Sequence, residues 1–490
     1  MNRLQAPLFE ALVRHYETEP VGFHVPGHGY GHIYEQEQNK AMNWLSGMMR
    51  LDVTELSSTD DLHHPEASIA AAQKLAAQCF GADETFLLVG GSTSGNLAMI
   101  LGVCEPGDLM IVQRNVHKSV LNGLKLAGAR AVFVTPRIDE ETGLPTTPSL
   151  ENVEQALELY PEAKAVMLTN PNYYGMTTNL TSYAELVHRY NSLLLIDEAH
   201  GAHYGLHPSF PESAIKSGAD AVVQSTHKTL SALTMGAMLH LKGERIPRAS
   251  LKEVLAAIQS SSPSFPIMAS IDVARVMVDR YGAAWFEPGV ASVQAFRAWI
   301  EQEDGALKVL PDDQSSAAYD SLDPLRVVLW DRTGTFTGFE LQKLLEEQGC
   351  WAEMADIKNV VLVWGSRTGE AARLRLQAAC KQIERIIRDN PLKSVRVSTS
   401  SYPGNGSPNP LKPVEWSRKK REQQRLPLVE SEGYEVAEMI IPYPPGIPIL
   451  YPGEVLTKEM IGYISTLAEN GAKFQGAVDS MMQTIAVYPR

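Results

Sequence analysis

The feature that most constrains the fold is a series of short apolar segments that do not alternate with polar residues. They read TFLLVGG (85–91), DLMIV (108–112), RAVFV (130–134), KAVMLTN (164–170), SLLLID (192–197) and DAVVQS (220–225). Segments of helical pattern separate several of them, such as ASIAAAQKLAAQCFG (67–81) and SGNLAMILGVC (94–104). Strands that are apolar on both faces are typical of a parallel sheet covered by helices. We therefore expect an α/β domain with a mostly parallel sheet, whose ligands bind beyond the carboxyl ends of the strands.

From about residue 286 the pattern changes. The segments 325–330, 337–349, 359–364 and 369–389 predict a strand, a helix, a strand and a long helix. Residues 394–426 are rich in Pro, Gly and Ser and then basic, which predicts a connector with a solvated charged face. The Pro-rich and Gly-rich segment 440–454 predicts a rigid loop. The predicted divisions are an N-terminal helix and loop segment, a large domain, a small α/β domain, the connector and a C-terminal domain, at 1–50, 51–285, 286–393, 394–426 and 427–490.

The first predicted strand runs into a segment of glycines and hydroxyl residues, GGSTSGN (90–96). Ser92, Thr93 and Ser94 fit an ordinary N-terminal helix cap. With the amides of the first helical turn they also fit a phosphate site. Taken alone, the segment favours the cap.

Three other strand ends carry ionisable side chains: Asp197 in IDEAHGAH, His117 in QRNVHKSVL and Lys228 in QSTHK. A buried carboxylate such as Asp197 needs a partner, either a protonated ring nitrogen or a structural salt bridge. His117 fits either a structural histidine or one that stacks on a flat ring. Lys228 fits either a surface lysine or a nucleophile whose pKa is lowered by desolvation.

One cofactor, pyridoxal 5′-phosphate (PLP), accounts for all four strand ends. It has a phosphate, a flat ring, a pyridine nitrogen that pairs with an acid and an aldehyde that forms a Schiff base with a lysine. Lys118 is a rival for the lysine, since it also follows a histidine. Lys228 is preferred because it follows Asp197 by 31 residues, one helix and one strand later.

Composition limits the classes of partner that the chain is expected to bind and the cellular compartment in which it is expected to act. The net charge of −14 disfavours nucleic acid as a partner. The four cysteines form no CxxC pair, which fits a reducing cytoplasm. The N-terminus does not resemble a signal peptide, and no apolar run approaches the ~20 residues of a membrane span. The sequence therefore predicts a cytoplasmic protein that acts on a small molecule, with no nucleic-acid or membrane partner.

The chain resembles the Orn/Lys/Arg decarboxylase family of fold-type I PLP enzymes over most of its length. The motifs that carry the resemblance are FHVPGHG, DVTELSSTDDLHHPEASI, GGSTSGN, QRNVHKSV, LTNPNYYG, LLIDEAHGAH, STHK, QSSSPSFPIMASIDVAR and IPYPPGIPILYPGE. The resemblance implies an aspartate aminotransferase-like large domain, a smaller α/β domain and a C-terminal α+β domain. The chain is similar to the shorter, Gram-positive-type members without an N-terminal wing domain, so a wing-mediated decamer is not expected.

The resemblance also implies roles for individual residues. Lys228 is similar to the lysine that carries the cofactor, and Asp197 to the partner of its pyridine nitrogen. His200 corresponds to the residue near the phenolic oxygen of the ring, and His117 to the ring-stacking histidine. The implied phosphate ligands are Ser92, Thr93, Ser94, Ser225 and, from the neighbouring subunit, Ser261. A ligand shared in this way implies a homodimer with shared active sites, and leaves larger assemblies open.

The implied reaction is decarboxylation of arginine, lysine or ornithine to agmatine, cadaverine or putrescine and CO₂. The ring accepts the electrons left by CO₂, and Asp197 keeps its nitrogen protonated. Lys228, and after it His227, are the predicted proton donors to Cα. Asp60, Asp61 and Glu454 lie in motif loops and are candidates to bind the distal cation of the substrate. The choice among the three substrates stays open, as does the choice between polyamine biosynthesis and acid consumption.

Three alternatives accompany this interpretation. An aminotransferase or lyase would use the same fold, with an arginine such as Arg367, Arg373 or Arg375 binding the α-carboxylate. A metallohydrolase would use some of the histidines, although no HExxH box occurs; the candidates are His24, His28, His63, His64, His200 and His203. A non-catalytic protein that retains the fold would have no need for a lysine at a strand end.

Overall fold

The structure is a computed structural model that describes residues 2–35, 42–312, 316–389, 411–416, 421–443 and 446–490. Two compact units account for these residues. The first contains residues 1–110, 161–170 and 179–285, and the second contains residues 111–160, 171–178 and 286–490. The division of the chain into five predicted segments stays a prediction.

Residues 2–285 form α-helices and β-strands that we number along the chain. The helices are α1 Pro7–Glu17, α2 His32–Glu35, α3 Asn43–Met49, α4 Ser68–Phe80, α5 Gly91–Val103, α6 Lys118–Ala127, α7 Leu150–Leu159, α8 Thr181–Arg189, α9 Thr226–Thr229, α10 Arg248–Ile258 and α11 Phe265–Tyr281. The strands are β1 Glu84–Leu88, β2 Leu109–Gln113, β3 Arg130–Val134, β4 Ala165–Thr169, β5 Met176–Thr177, β6 Leu193–Asp197, β7 Ala221–Gln224 and β8 Ala237–Leu241. Short 3-10 helices cover Gly29–Gly31 and Gly282–Trp285.

The rest of the chain continues the numbering. Its helices are α12 Glu287–Glu303, α13 Gly338–Glu347, α14 Glu370–Asp389 and α15 Lys458–Glu469. Its strands are β9 Leu307–Val309, β10 Ser321–Leu322, β11 Arg326–Asp331, β12 Met354–Ala355, β13 Asn359–Val363, β14 Gln424–Pro427, β15 Ile441–Tyr443, β16 Lys473–Gln475 and β17 Thr484–Val487. A 3-10 helix covers Leu428–Glu430. No described helix is both long enough and apolar enough to cross a bilayer.

A seven-stranded sheet has the order β1-β8-β7-β6-β4-β2-β3. β4, β6 and β7 pair in parallel, whereas β8 pairs antiparallel with both β7 and β1. The prediction of a mostly parallel sheet in an α/β domain is confirmed. The prediction did not include β8 (AMLHL), which is the antiparallel exception. It is buried like its neighbours, and burial on both faces does not reveal strand direction.

The strand register brings several strand ends to one edge of the sheet. Leu88, the last residue of β1, pairs with Ala237, the first residue of β8. Gln224, the last residue of β7, pairs with Met238. The carboxyl ends of β1 and β7 therefore meet at the edge where β8 begins, and α5 and α9 start from this edge.

Gly95 allows α5 to lie directly against the sheet. A Cβ built at Gly95 would overlap the side chain of Val223 on β7 and lie 2.9 Å from Cδ1 of Leu88 on β1. Only a residue without a side chain fits between the helix and these strands. This close approach brings Asn96 of α5 to the end of β6.

The second unit contains a four-stranded sheet with the order β12-β13-β11-β9, in which neighbouring strands are antiparallel. The predicted strand-helix-strand-helix pattern matches β11, α13, β13 and α14. α13 begins with a capping box, in which Thr337 accepts from the Glu340 amide and the Glu340 side chain accepts from the Thr337 amide.

The C-terminal part of this unit packs α15 and two strand pairs, β14–β17 and β15–β16, around an apolar cluster. The prediction that 440–454 contains no strand is wrong for Ile441–Tyr443, which pairs with β16. Pro442 is tolerated there because the sheet has only two strands, so each strand has an unpaired edge. Of the predicted connector 394–426, residues 394–410 and 417–420 lie outside the described residues, and residues 424–426 begin β14.

Candidate active site

Lys228 lies at the carboxyl edge of the large sheet. Ser225 is the N-cap residue of α9, and Lys228 is the third residue of that helix. The His227 amide donates to the carbonyl oxygen of Gly236 (3.1 Å), which fixes the short helix to the start of β8. Nζ of Lys228 lies 2.9 Å from Nε2 of His200. The half-buried amine is therefore held beside an imidazole at the edge where ligands of such sheets bind.

Asp197 is the last residue of the neighbouring strand β6, and it is buried. Its Oδ2 accepts a hydrogen bond from Nδ2 of Asn96 (2.8 Å), and its Oδ1 accepts from the Ala199 amide (3.1 Å). Sequence reasoning did not single out Asn96. The available signal was an amide in an otherwise small and apolar helix that begins at a strand end. These two bonds fix the orientation of the carboxylate.

The segments that carry Asp197 and Lys228 are joined by main-chain hydrogen bonds. The Glu198 amide donates to Val223 O (3.0 Å), and the Ser225 amide donates to Ala199 O (3.3 Å). These bonds continue the β6–β7 pairing past the last ladder residues. The structure therefore brings together the predicted acid, the predicted lysine and His200.

Three hydroxyl groups around Lys228 are buried and have no hydrogen-bond partner among the described residues. They are Ser225 Oγ, Thr226 Oγ1 and Thr229 Oγ1. A buried hydroxyl without a partner is unfavourable by about 1–3 kcal/mol. Such donors fit an acceptor-rich group such as a phosphate, which is the role that the resemblance implies for Ser225. Thr226 and Thr229 were not predicted.

The three hydroxyl residues of GGSTSGN lie in the first turn of α5, after its N-cap residue. The N-cap residue is Gly90, and no side chain caps the helix there. The alternative that Ser92, Thr93 and Ser94 form an ordinary N-cap is therefore wrong. Ser94 is buried and donates to Gly91 O (2.8 Å), Ser92 is half-buried and Thr93 is exposed.

The imidazole ring of His227 is held by a main-chain carbonyl group just before β8. Its Nδ1 lies 3.0 Å from Gly236 O. A carbonyl oxygen only accepts, so Nδ1 carries a proton and donates. Proton exchange with a ligand is left to Nε2, and the role of His227 as proton donor stays a prediction.

The carboxylate of Asp60 is occupied by main-chain amides near the start of α4. It accepts from the amides of five residues, at 2.8–3.4 Å: Asp61, Glu66, Ala67, Ile69 and Ala70. Partial burial opposes ionisation of Asp60, but the amides of Glu66, Asp61, Ala67 and Ile69 outweigh it and lower its pKa. Asp60 therefore has a structural role, and binding of the substrate by this carboxylate stays a prediction.

Asp61 and Ser261 are placed by the loops that flank α4 and α11. Oδ1 of Asp61 accepts from the His63 amide (2.8 Å), and Nε2 of His63 lies 2.8 Å from Ser260 O. This contact holds the Asp61 loop beside the segment that contains Ser261. Ser261 is exposed, and its role toward a neighbouring subunit stays a prediction.

His117 belongs to the second compact unit and is the N-cap residue of α6. Its Nδ1 accepts from the Ser119 amide (3.2 Å) and lies 2.8 Å from Ser119 Oγ. Gly446 lies against the ring, since a Cβ at Gly446 would be 3.4 Å from Cδ2 of His117. His117 therefore caps α6, and its stacking on a cofactor ring stays a prediction.

Lys118, the rival to Lys228, has partners in the C-terminal part of the second unit. Its Nζ donates to Oε1 of Gln475 (2.6 Å) and lies 5.7 Å from the centre of the Tyr443 ring. Its amide donates to Gly446 O (3.3 Å). These contacts give Lys118 a structural role and favour Lys228 as the reactive lysine.

Glu454 forms a partly buried ion pair with Arg114. Both Glu454 oxygens accept from Nη2 of Arg114 (2.9 and 2.8 Å), and Oε2 also accepts from the Tyr451 amide (2.9 Å). The Arg114 guanidinium lies over the Tyr451 ring, 4.5 Å from its centre. Burial raises the pKa of Glu454, and Arg114 offsets part of that rise. This carboxylate already has a cation, and its predicted contact with a substrate stays a prediction.

The residues of the alternative functions have local partners. Arg373 bonds Glu370 and Gln377, and Arg375 donates to Gln348 O (3.1 Å). Of the candidate metal ligands, His28 lies 3.2 Å from Asp52 and His64 lies 3.3 Å from Glu66. Within the described part of the chain, no three His, Cys, Asp or Glu side chains converge as a metal site.

Comparison with known proteins identifies relatives over the whole chain. The family model described as "Orn/Lys/Arg decarboxylase, major domain" matches residues 6–314, and its C-terminal domain model matches residues 413–482. The protein named "Uncharacterized protein YaaO" from Bacillus subtilis is 39% identical and aligns over 99% of both chains. A protein named arginine decarboxylase from the same organism is 32% identical over 99% of this chain and 98% of its own.

Solved structures support the same fold. The structure titled "Lysine decarboxylase A from Pseudomonas aeruginosa" aligns with a TM-score of 0.81 and 21% identity, covering 99% of this chain and 81% of that one. The structure of the Francisella novicida lysine decarboxylase LdcF aligns with a TM-score of 0.78 and 18% identity, covering 99% and 81%. At these identities the matches establish the fold alone.

Proposed function

The chain belongs to the Orn/Lys/Arg decarboxylase family, and we propose that it releases CO₂ from the α-carboxylate of a basic amino acid and yields the corresponding amine. The observation that carries the proposal is the position of the Lys228 amine, 2.9 Å from His200 at the strand end beside Asp197. Lysine, acid and buried hydroxyl groups at one sheet edge are the set that PLP requires.

The described residues fit PLP group by group. Lys228 would hold its aldehyde carbon, Asp197 its pyridine nitrogen, and the hydroxyls of Ser225 and Thr226 its phosphate. The first turn of α5, with Ser92, Thr93 and Ser94, would complete the phosphate site. When bound, the cofactor supplies an electron sink for the pair of electrons that CO₂ leaves behind.

The side chains of the site would orient groups and move protons. The Asp197 carboxylate is held by Asn96 and the Ala199 amide, so it accepts from a ring N–H without reorganising. His200 lies within hydrogen-bonding distance of the Lys228 amine, which is the proposed carrier of the proton to Cα of the product. His227 is the second candidate, through Nε2.

Arginine is the first substrate to test. Relatives named arginine decarboxylase from Bacillus subtilis and Bacillus anthracis are 32% and 31% identical over 98% of their length. The Pseudomonas aeruginosa relative named lysine decarboxylase LdcA is 26% identical and aligns over 74% of its length. Lysine and ornithine differ by one methylene, worth about 1–3 kcal/mol in a pocket, so both belong in the same test.

The proposed test measures CO₂ release by the purified protein with PLP, from arginine, lysine and ornithine in parallel. We expect release from at least one of them and loss of release in Lys228→Ala. Borohydride reduction should fix the cofactor to the peptide that contains Lys228. Lys118→Ala is the matched control, because it removes the other lysine that follows a histidine, and it should retain release. Bound PLP without release of CO₂ from any substrate would favour an aminotransferase or lyase instead.

We also propose that the protein is a cytoplasmic homodimer with shared active sites. The family resemblance supports the dimer, as does the exposure of apolar side chains in the N-terminal segment, among them Phe23, Trp44 and Met48. Four free cysteines support a reducing compartment. Sedimentation equilibrium tests the dimer, and a monomer with full activity would contradict it.

A further inference from the structure

A row of buried polar side chains crosses four strands of the large sheet behind the Lys228 site. It consists of Glu198 after β6, Gln224 on β7, His240 on β8 and Thr85 on β1, all fully buried. Nε2 of Gln224 donates to Oε2 of Glu198 (2.6 Å), and Oε1 of Gln224 lies 3.1 Å from Nε2 of His240. Nδ1 of His240 lies 2.8 Å from Oγ1 of Thr85.

These hydrogen bonds have a consistent direction. Oε1 of Gln224 only accepts, so His240 donates from Nε2 and its Nδ1 accepts from the Thr85 hydroxyl. Burial lowers the pKa of His240 to about 3, which keeps the ring neutral as this arrangement requires. At the other end, Glu198 accepts from the Ala214 amide (2.7 Å) and from Ser213 Oγ (3.1 Å). The row therefore forms a connected, fully oriented network.

The network faces away from the ligand side of the sheet edge. Glu198 follows Asp197 directly, and consecutive residues of an extended segment point to opposite faces. Asp197 contacts Asn96 of α5, whereas Glu198 contacts Ser213 and Ala214. Gln224 in turn directly precedes Ser225, the N-cap residue of α9. Glu198 follows the predicted acid, and Gln224 precedes the N-cap residue of the helix that contains Lys228, so their bond links the two segments.

We infer that Glu198 and Gln224 are positioning residues, whose hydrogen bond sets the separation of Asp197 from Lys228. The inference rests on the proposed function, in which both of those groups contact one cofactor. Two main-chain bonds join these segments, from the Glu198 amide to Val223 O at 3.0 Å and from the Ser225 amide to Ala199 O at 3.3 Å. The side-chain bond between Gln224 and Glu198 is the shortest of the three, at 2.6 Å. A displacement of about 1 Å in a reacting group can lower a rate about 100-fold.

Stability alone does not explain a glutamate at this position. Burial raises the pKa of Glu198 to about 8, and its hydrogen-bond donors are an amide N–H, a hydroxyl and a carboxamide. A buried acid among neutral groups is generally less stable than a well-packed apolar residue. A destabilising buried acid beside a reactive site is typical of a position where activity requires that residue at the expense of stability.

The test compares variants that break the bond between Glu198 and Gln224, a variant that keeps it, and a variant that removes a different buried hydrogen bond. Glu198→Leu and Gln224→Leu break it. Glu198→Gln keeps it, because the new amide can donate to Gln224 if the row of bonds reverses. Ser192→Ala is the matched control, since it removes a buried hydrogen bond, to Ala163 O at 2.6 Å, at the opposite end of β6. The measurements are kcat and KM, and amide hydrogen exchange of residues 194–200 and 221–229 in the protein without PLP.

We expect the two leucine variants to lose about 100-fold in kcat with KM changed less than threefold, and to exchange faster in both segments. Glu198→Gln should stay within about fivefold of the parent kcat, and Ser192→Ala should keep its kcat at reduced stability. Unchanged kcat and exchange in both leucine variants, or an equal kcat loss in Ser192→Ala, would overturn the inference. Failure of the parent protein to release CO₂ would overturn the proposed function instead, and the exchange measurement would still decide whether the bond holds the two segments.

Discussion

Two glutamates, one in each compact unit, are held in different ways: Glu198 is fully buried, whereas the side chain of Glu454 is 19% exposed. Both Glu454 oxygens accept from Nη2 of Arg114, whose guanidinium also donates to Pro448 O and Ile449 O and lies over the Tyr451 ring. Glu198 receives only neutral donors: the Ala214 amide, the Ser213 hydroxyl and the Gln224 carboxamide. Burial raises the pKa of both groups, and it takes that of Glu198 to about 8.

The difference shows how a protein can bury a carboxyl group with or without a countercharge. A cation offsets the loss of hydration, so Glu454 and Arg114 act as one structural unit. Without a cation, burial raises the pKa of the carboxyl group, and the stability of the folded protein then depends on pH. A third carboxylate, Asp60, is half-buried like Glu454, but it accepts from five main-chain amides, and these lower its pKa.

The largest expected effect comes from removing the cation. Arg114→Met should lower the free energy of unfolding by about 3 kcal/mol, because it leaves the partly buried Glu454 without its cation and removes the bonds to Pro448 O and Ile449 O. Urea denaturation at pH 7 measures this. The double variant Arg114→Met with Glu454→Gln is the control and should recover part of the loss. A loss below about 1 kcal/mol in the single variant would show that the pair is not a structural unit.

The second prediction concerns pH. The pKa of Glu198 in the folded protein lies above its value of about 4.3 in the unfolded chain. At pH values between the two, the folded protein therefore binds more protons at this group than the unfolded chain does. Stability from this group is therefore fully present below about pH 4 and is lost as the pH rises through about 8. As the pH rises from about 4 to about 8, the free energy of unfolding of the parent should fall by about 1.4 kcal/mol per pH unit relative to that of Glu198→Gln. Parallel stability curves of the two proteins from pH 5 to pH 8 would contradict it.

The contribution of Asp60 to stability should have the opposite pH dependence to that of Glu198, and it should be smaller. Asp60→Ala should lower stability by about 2 kcal/mol at pH 7, as expected for loss of a strong helix-capping carboxylate. Because the pKa of Asp60 is lowered, its contribution is present above the unfolded value of about 3.9 and is lost as the pH falls through the folded value. Thermal unfolding at pH 7 and pH 3 measures this. Asp61→Ala, which removes one amide contact, is the control and should have a smaller effect.

The smallest expected effect is the coupling between Arg114 and the ring that covers it. A double-mutant cycle with Arg114→Met and Tyr451→Leu should give about 1 kcal/mol for the cation–π contact. Tyr451→Phe keeps a ring face and should retain most of the coupling. A coupling near zero would mean that the ion pair alone accounts for the difference between the two glutamates.

The strands of the large sheet and the position of Lys228 could be predicted because both depend on local sequence. Apolar segments that end in Asp197, or just before STHK, identify buried strands and their ends without reference to distant residues. Membership of the decarboxylase family could likewise be predicted, since it rests on the order of short motifs. The same reasoning missed β8, and burial on both faces carries no information about the antiparallel direction of that strand.

The order of the predicted strands and helices, and the residue types that reach the sheet edge, follow from local patterns in the sequence. The tertiary structure alone decided which of those residues have partners: Asn96 for Asp197, Gln224 for Glu198, Gln475 for Lys118 and Arg114 for Glu454. These partners are separated by 26 to 357 residues along the chain. Hydrogen bonds and ion pairs act over a few ångströms, so such pairs exist only after the strands and helices have packed.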